Sequence, residues 1–270
     1  MRKFRRQLKR KWGRQVRAEF ELDIFIEGNA YDRDMKKKSL VCVAFLMVFG
    51  FVFALFLCFG ALNGAVAVSA LHDGGMKIVV DAGHGGVDGG VVGVKTGVKE
   101  SDVNLEIAYK LCDELTDLGF EVVMTRKTKA GLYGTATGAF KRRDMLKRKE
   151  IIQQTNPSMV ISIHQNRYPS QSVRGAQVFY DKNSEGGRAL ALAVQDRVNT
   201  LYESQNVKRR NATQGAYFML QCTSSPSIIV ECGFLSSPKD EVLLCKEGWQ
   251  RSVAKAVVYG VVDYLEGRLA

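Results

Sequence analysis

The sequence predicts an α/β fold, and two patterns that alternate along it carry this prediction. Short apolar runs rich in Val and Ile are typical of buried strands, and several end at glycine or polar residues, where the chain can turn. Between these runs, apolar residues recur every four positions, which is typical of helices that bury one face. Strand and helix patterns that alternate in this way indicate an α/β domain.

Six strands are predicted. The first begins at Lys77 and runs into the small residues Ala82 and Gly83, which allow a sharp turn just before His84. The other five are predicted at 120–125, 159–164, 175–180, 216–221 and 227–234. Ligands of open α/β sheets bind beyond the carboxyl ends of the strands, so residues that end these strands are candidates for a functional site.

The helices are predicted between these strands. Ser101 and Asp102 offer N-cap side chains for a first helix, which Gly119 ends. The predicted buried stripe of this helix comprises Val103, Ile107, Leu111 and Leu115. Further helices are predicted at 140–154 and 188–202, with one or two more between 239 and 265, and a glycine-rich loop is predicted at 132–139.

The N-terminal quarter of the chain differs from the rest in composition. Positions 39–71 hold no charged residue, and 40–59 is almost wholly apolar, close to the roughly 20 residues that cross a bilayer. We therefore predict a transmembrane anchor at 39–62, a linker at 63–75 and a catalytic domain at 76–270. A cleaved secretory signal is the alternative, with small-residue cleavage sites at 65–67 and 68–70.

The distribution of charge predicts how the chain would lie in a membrane. Residues 1–38 carry thirteen Lys or Arg and six Asp or Glu, and the basic run 36–38 directly precedes the apolar segment. The positive-inside rule then places this tail in the cytoplasm and the catalytic domain outside, as in a single-pass protein of the cytoplasmic membrane. The net charge of +11 falls to +4 without the tail, and no motif accompanies the basic residues, so we predict no nucleic-acid partner.

The six cysteines show no pattern of a disulfide framework or of a CxxC metal site. Cys42 and Cys58 belong to the apolar segment, which leaves four in the predicted domain: Cys112, Cys222, Cys232 and Cys245. We expect these to be mostly buried free thiols.

Four polar residues at strand or helix ends suggest a zinc hydrolase. Two of the three histidines, His84 and His164, follow or end apolar strands, and two imidazoles with one carboxylate are a typical catalytic zinc site. Glu100 is the first candidate for that carboxylate, but Asp88 and Asp102 lie close in sequence, and spacing alone does not choose among them. A carboxylate that is not a ligand can act as general base, and Glu231, at the end of an apolar strand, is the candidate for this role.

Other catalytic sites are less compatible with the sequence. It holds no GxxxxGK[ST] or GxGxxG phosphate-binding motif and no GxSxG nucleophile motif. Cys232 follows Glu231, but its apolar flank would raise the pKa of the thiol and weaken it as a nucleophile. Metal-assisted hydrolysis therefore remains the best interpretation of the residue types.

Five segments, taken together, resemble the zinc-dependent N-acetylmuramoyl-L-alanine amidases of the amidase_3 type. They occur in order within 77–265, as DAGHGG at 81–86, ESDVNL at 100–105, TR at 125–126, SIHQN at 162–166 and ECGFLS at 231–236. The resemblance implies that His84, Glu100 and His164 are zinc ligands and that Glu231 is the catalytic glutamate. It also implies a single twisted, mostly parallel sheet with helices on both faces.

The resemblance further implies a cofactor, a substrate and a cellular role. The cofactor is Zn²⁺ and the substrate is peptidoglycan, whose amide bond between N-acetylmuramic acid and L-alanine would be hydrolysed. The predicted anchor, the loop 131–133 and the segment 165–170 make the chain most similar to the membrane-anchored spore-cortex amidases, and an activating protein partner is compatible with this role. The alternatives are another zinc peptidase or deacetylase of the cell wall, or a non-catalytic peptidoglycan-binding domain of the same fold.

Overall fold

The computed structural model describes residues 75–135 and 138–267, all within the compact unit Ala67–Ala270. The predicted tail at 1–38, the anchor at 39–62 and almost all of the linker at 63–75 lie outside the described residues. Among the residues that are described, no helix has the length and apolar character needed to cross a bilayer.

A sheet of six strands forms the centre of the described part of the chain. The strands are β1 (Lys77–Ala82), β2 (Glu121–Met124), β3 (Met159–Asn166), β4 (Gln177–Tyr180), β5 (Thr213–Gln214) and β6 (Ser227–Phe234). Their order in the sheet is β2-β1-β3-β6-β4-β5. All neighbouring pairs are parallel except β6 and β4, so the expected mostly parallel sheet is confirmed.

Helices cover both faces of this sheet. They are α1 (Glu100–Asp117), α2 (Phe140–Thr155), α3 (Glu185–Glu203), α4 (Pro238–Leu244) and α5 (Glu247–Leu265). Successive strand residues point to opposite faces, and on β1 Ile78 and Val80 join one apolar core while Val79 joins the other. Helices α1, α3 and α5 pack on the larger core, and α2 with a 3₁₀ helix (Phe218–Gln221) covers the smaller one.

Two local predictions were wrong. The segment 216–221 is not a strand, because Phe218–Gln221 forms the 3₁₀ helix, whose adjacent residues Met219 and Leu220 both enter the smaller core. Helix α1 begins at Glu100 and has no side-chain cap from Ser101 or Asp102. The N–H groups of Glu100 and Ser101 instead donate to backbone carbonyls of the preceding loop, which satisfies them without a cap.

The four cysteines of the described domain are free thiols. Cys222 and Cys232 are buried, Cys112 is half-buried and Cys245 is exposed. Burial raises the pKa of Cys112 to about 12 and that of Cys222 to about 11, and it raises the pKa of Cys232 further. None of these three buried or half-buried thiols therefore has the thiolate character of a nucleophile.

A buried ion pair fixes the turn at the end of β1. Arg148 of α2 donates from Nη1 to Asp81 Oδ1 at 2.6 Å and from Nη2 to the His84 carbonyl at 2.6 Å. Thr125 and Ser162 donate their hydroxyls to the same Asp81 carboxylate. The chain leaving β1 is thus tied to α2 and to both neighbouring strands.

The surroundings of Asp81 favour its ionised form. Burial alone would raise the pKa of this carboxyl, but the Arg148 charge and the two hydroxyl donors outweigh burial and lower the pKa from 3.8 to about 2. Because the folded pKa lies below the unfolded one, the carboxylate stabilises the fold above about pH 4. This contribution, about 2 kcal/mol, is lost as the pH falls toward 2.

Replacing Asp81 by Asn should lower the free energy of unfolding at pH 7 by about 3–5 kcal/mol, because Arg148 loses one partner of a buried pair. Denaturant unfolding of the purified chain measures this change, with Asp113→Asn on the exposed face of α1 as the control, expected within about 0.5 kcal/mol of the native chain. The difference for Asp81→Asn should shrink between pH 4 and pH 2. A difference that stays constant over this range would contradict the assigned role of the Asp81 charge.

Candidate metal centre

The parallel strands bring the predicted site residues to one edge of the sheet. His84 lies two residues beyond the end of β1, and His164 lies near the end of β3. His164 and Glu231 are direct partners in the register of β3 and β6. Glu100 reaches the same edge as the first residue of α1.

The turn that carries His84 has a demanding backbone geometry. His84 adopts a φ of 60°, in the left-handed region that few non-glycine residues occupy. Gly83 before it packs against His164 so closely that a Cβ atom would lie 2.3 Å from the imidazole ring. Only glycine at 83 therefore allows the two histidines to approach each other, with ring centroids 5.1 Å apart.

Glu100 is the carboxylate that meets both histidines. Its Oε1 lies 3.0 Å from His164 Nδ1 and 3.3 Å from His84 Nε2. The backbone N–H of Gln165 donates to Oε1 and that of Val91 donates to Oε2, so both oxygens are held in place. The Glu100 side chain is 2% exposed, whereas the side chains of His84 and His164 are 26% and 19% exposed and face the cleft.

The two aspartates that competed with Glu100 in sequence have other roles. Asp88 Oδ2 lies 3.1 Å from Nδ1 of His84, on the opposite side of the ring from Glu100. Asp102 faces Lys129, at 3.6 Å from its Nζ. The structure thus brings together the predicted set of His84, Glu100 and His164, whose ligand atoms all lie within 4.8 Å of one another.

The charges of this cluster are strongly coupled. Burial alone would raise the pKa of the Glu100 carboxyl, but the two histidines outweigh burial and hold this pKa well below its usual range. Burial would lower the pKa of His84, but Glu100 and Asp88 outweigh it and raise this pKa to about 9. Glu100 likewise raises the pKa of His164 against the effect of burial. The cluster therefore binds positive charge readily, either as protons or as a cation that replaces them.

Glu231 occupies a contrasting environment beside the cluster. Its Oε2 is buried and has no hydrogen-bond partner among the described residues. Burial, together with the negative charge of Glu100, raises the pKa of Glu231 to about 7, although His164 and His84 oppose this shift. A carboxyl whose pKa lies near neutrality is well suited to exchange protons with a substrate.

All four residues line one cleft of about 510 Å³. Asp88 and Lys141 lie along the cleft with them, as do the half-exposed aromatic side chains of Tyr217 and Phe218 from the segment of the 3₁₀ helix. A polymer substrate can therefore reach the histidines from solvent.

The donor set fits zinc. Two imidazoles and one carboxylate are the ligands of a catalytic zinc site, which keeps a further position for water or substrate. Asp88 beside the second ring nitrogen of His84 supplies the outer contact that usually orients a metal-binding histidine. The described residues thus supply both the ligands of a zinc site and a side chain that orients one of them.

Several supporting residues were not predicted from the sequence. Arg126 donates to the carbonyls of Ala82, Gly83 and Ser101, and thereby joins the His84 turn to the start of α1. Asn104 donates to Gly83 O and to Glu100 Oε1. Arg126 and Asn104 belong to segments that resemble the amidases, and this resemblance was the only sequence signal for their role. No sequence signal indicated the role of Arg148.

Comparison with known proteins places this site in a family. Residues 78–263 match Amidase_3, the family of N-acetylmuramoyl-L-alanine amidases. The chain belongs to the Amidase_3 family. The predicted family is thus confirmed, and with it the prediction that the protein is an N-acetylmuramoyl-L-alanine amidase acting on peptidoglycan.

Individual Amidase_3 relatives cover most of the chain. The germination-specific N-acetylmuramoyl-L-alanine amidase of Bacillus subtilis is 33% identical, over 84% of this chain and 96% of the relative. The amidase AmiA of Escherichia coli is 27% identical, over 75% of this chain and 81% of the relative. Among solved structures, the CwlD amidase of Clostridioides difficile, in complex with the GerS lipoprotein, is similar with a TM-score of 0.68 and 31% identity, over 71% of this chain and 99% of that one.

Zinc analysis of purified variants should separate ligands from supporting residues. We expect His84→Ala, His164→Ala and Glu100→Gln to lose stoichiometric zinc, because each removes a donor. Asp88→Asn should keep zinc with about 10- to 100-fold weaker affinity, since it only loosens the His84 ring. Asp102→Asn is the matched control and should bind zinc as the native chain does, and zinc retained by Glu100→Gln but lost from Asp102→Asn would contradict the ligand set.

Proposed function

We propose that this Amidase_3 protein uses zinc to hydrolyse the amide bond between N-acetylmuramic acid and L-alanine, in remodelling of the cell wall or spore cortex. One observation carries the proposal. The ligand atoms of His84, Glu100 and His164 converge in a cleft that also holds the carboxyl of Glu231, whose Oε2 has no hydrogen-bond partner among the described residues. This arrangement provides a place for the cation and a separate group for proton transfer.

His84, Glu100 and His164 would hold the zinc ion, and other residues of the cleft fix two of them. Asp88 orients the His84 ring, and the N–H groups of Val91 and Gln165 orient the Glu100 carboxylate. The chemistry that zinc supplies at such a site is polarisation of the scissile carbonyl and of an attacking water. The rigid mounting of the ligands fixes where the scissile carbonyl must lie.

Glu231 would move the proton. Its carboxylate takes a proton from the attacking water and passes it to the nitrogen of L-alanine, which leaves as a free amine. The products are a lactyl carboxylic acid on the sugar and a released stem peptide. Burial keeps Glu231 basic enough for the first step, and the protonated carboxyl is acidic enough for the second.

Digestion of purified peptidoglycan by the full chain tests this function. We expect new L-alanine amino termini, loss of this activity with a chelator and its return with zinc. Glu231→Gln should keep zinc but lower kcat by about 10²- to 10⁴-fold, because it removes the proton acceptor. Glu106→Gln on the exposed face of α1, outside the cleft, is the matched control and should act as the native chain does.

The same digestion separates the alternatives. New ends between stem-peptide residues would indicate a peptidase, and new sugar amino groups would indicate a deacetylase. Binding to peptidoglycan without any zinc-dependent release would indicate a non-catalytic domain. Full activity of the Glu231→Gln variant would refute the proton-transfer role of Glu231.

We further propose that the domain acts on the outer side of the cytoplasmic membrane, held by the segment 39–62 with the basic tail inside. The charge-free segment and the net charge of +7 at 1–38 support this location. The germination-specific function of the Bacillus subtilis relative supports a role in the spore cortex. The lipoprotein complex of the Clostridioides difficile relative supports a search for an activating partner.

The proposed membrane topology predicts which end of the chain the membrane protects from added protease. Protease added to wall-stripped cells should degrade an epitope tag at the C-terminus but spare one at the N-terminus, and the chain should remain with the membrane fraction. A cleaved signal would instead release a shorter chain without the N-terminal tag. Protection of the C-terminal tag would contradict the outside location.

A further inference from the structure

The guanidinium of Arg167 stands apart from the other cationic groups of the cleft. Three cationic side chains other than histidine line the cleft, and two of them are already paired. Arg148 contacts Asp81 and Asp144 at 2.6 Å each, and Lys141 lies 3.8 Å from Asp88. Among the residues at 75–135 and 138–267, no acidic group or hydrogen-bond acceptor contacts the exposed Arg167 guanidinium.

The backbone on both sides of Arg167 is firmly held, so the free side chain is presented from a fixed base. The Asn166 carbonyl accepts from Leu235 N–H at 3.0 Å, and Tyr168 N–H donates to Ser236 Oγ at 2.9 Å. The N–H of Arg167 itself donates to Asn166 Oδ1 at 2.7 Å. A cation mounted in this way is prepared to bind an anion at little further cost in backbone order.

The position of Arg167 relates it to the scissile bond. It lies three residues after His164 and one residue beyond the end of β3, so at most about 10 Å of extended chain separates the two. In a stem peptide, the residue after L-alanine lies within about 7 Å of the scissile nitrogen, at one to two Cα–Cα steps. The long Arg167 side chain can bridge the remaining separation.

The chemistry of the substrate selects the peptide half as the partner of this cation. The N-acetylated sugar is neutral, whereas the residue after L-alanine in a stem peptide is a γ-linked D-glutamate with a free α-carboxylate. Guanidinium and carboxylate form two parallel, charge-assisted hydrogen bonds, which are stronger than those between neutral groups. We infer that Arg167 forms a carboxylate subsite for the stem peptide, an inference that rests on the proposed amidase function.

A pair of ligands that differ in one group tests this subsite. Both are N-acetylmuramoyl tripeptides with the sequence L-alanine, γ-D-glutamate and L-lysine amide, and the α-carboxyl of the D-glutamate is either free or a carboxamide. Their affinities are measured by calorimetry on the zinc-loaded full chain carrying Glu231→Gln, so that no turnover occurs. The free carboxylate should bind about 10- to 100-fold more tightly than the carboxamide.

Variants at Arg167 and at a control arginine assign the preference to one residue. In the same background, Arg167→Gln should bind both ligands with the affinity of the carboxamide, and Arg167→Lys should keep part of the preference because it keeps the charge but not the forked geometry. Arg188→Gln removes an exposed arginine of α3 that does not line the cleft, and it should keep the full preference. Added salt should reduce the difference in affinity between the two ligands, since the site is open to solvent.

The possible outcomes separate the subsite from the enzymatic function. The subsite is refuted by equal affinities for the two ligands, by no measurable binding of either, or by a preference that survives Arg167→Gln. It is refuted in favour of another residue if Lys141→Gln, and not Arg167→Gln, removes the preference. A chain that prefers the carboxylate through Arg167 but hydrolyses neither ligand when Glu231 is present would refute the proposed function and leave the subsite standing.

Discussion

The buried carboxylate of Glu100 is the interaction on which the rest of the site depends. An ionised carboxylate with 2% exposure costs several kcal/mol unless donors surround it. Here the donors come from four separate parts of the chain: the turn after β1, the loop before α1, the second turn of α1 and the end of β3. Displacing any of these segments leaves the charge with too few partners, so the carboxylate couples the geometry of the site to that of the fold.

The two glutamates of the cleft show how position decides chemistry. Both carboxyls lie beside the same histidines, yet the pKa of Glu100 is lowered and that of Glu231 is raised. The difference arises because Glu100 accepts hydrogen bonds from backbone N–H groups and imidazoles, whereas Glu231 Oε2 accepts none. An always-ionised group is suited to hold a cation, and a group that titrates near neutrality is suited to carry a proton.

The sequence predicted the parts of the fold that follow from regular burial. The stripe at Val103, Ile107 and Leu111 is fully or almost fully buried, because a four-residue repeat keeps one helix face on the sheet. The prediction of a strand at 216–221 was wrong because two adjacent apolar residues in a tight turn both enter the core. A strand would instead alternate buried and exposed residues. The predicted side-chain cap of α1 was also wrong. Backbone carbonyls of the preceding loop, which no local sequence pattern indicates, satisfy the first N–H groups of the helix.

The residues of the candidate site also differ in how far the sequence alone predicted them. Strand ends pointed to His84, His164 and Glu231, whereas the choice of Glu100 over Asp88 and Asp102 came only from the family resemblance. Spacing could not make this choice, because it depends on the side of the His84 ring that each carboxylate reaches. The role of Arg148 depends on contacts that span 64 or more positions, which no local pattern reveals.

The short strands at the edges of the sheet affect how copies of the domain can associate. The strands at its two edges are β2, with four residues, and β5, with two. So little unpaired backbone gives another extended chain few hydrogen bonds to gain by adding itself as a seventh strand. Short strands at both margins therefore disfavour association of copies through their backbones.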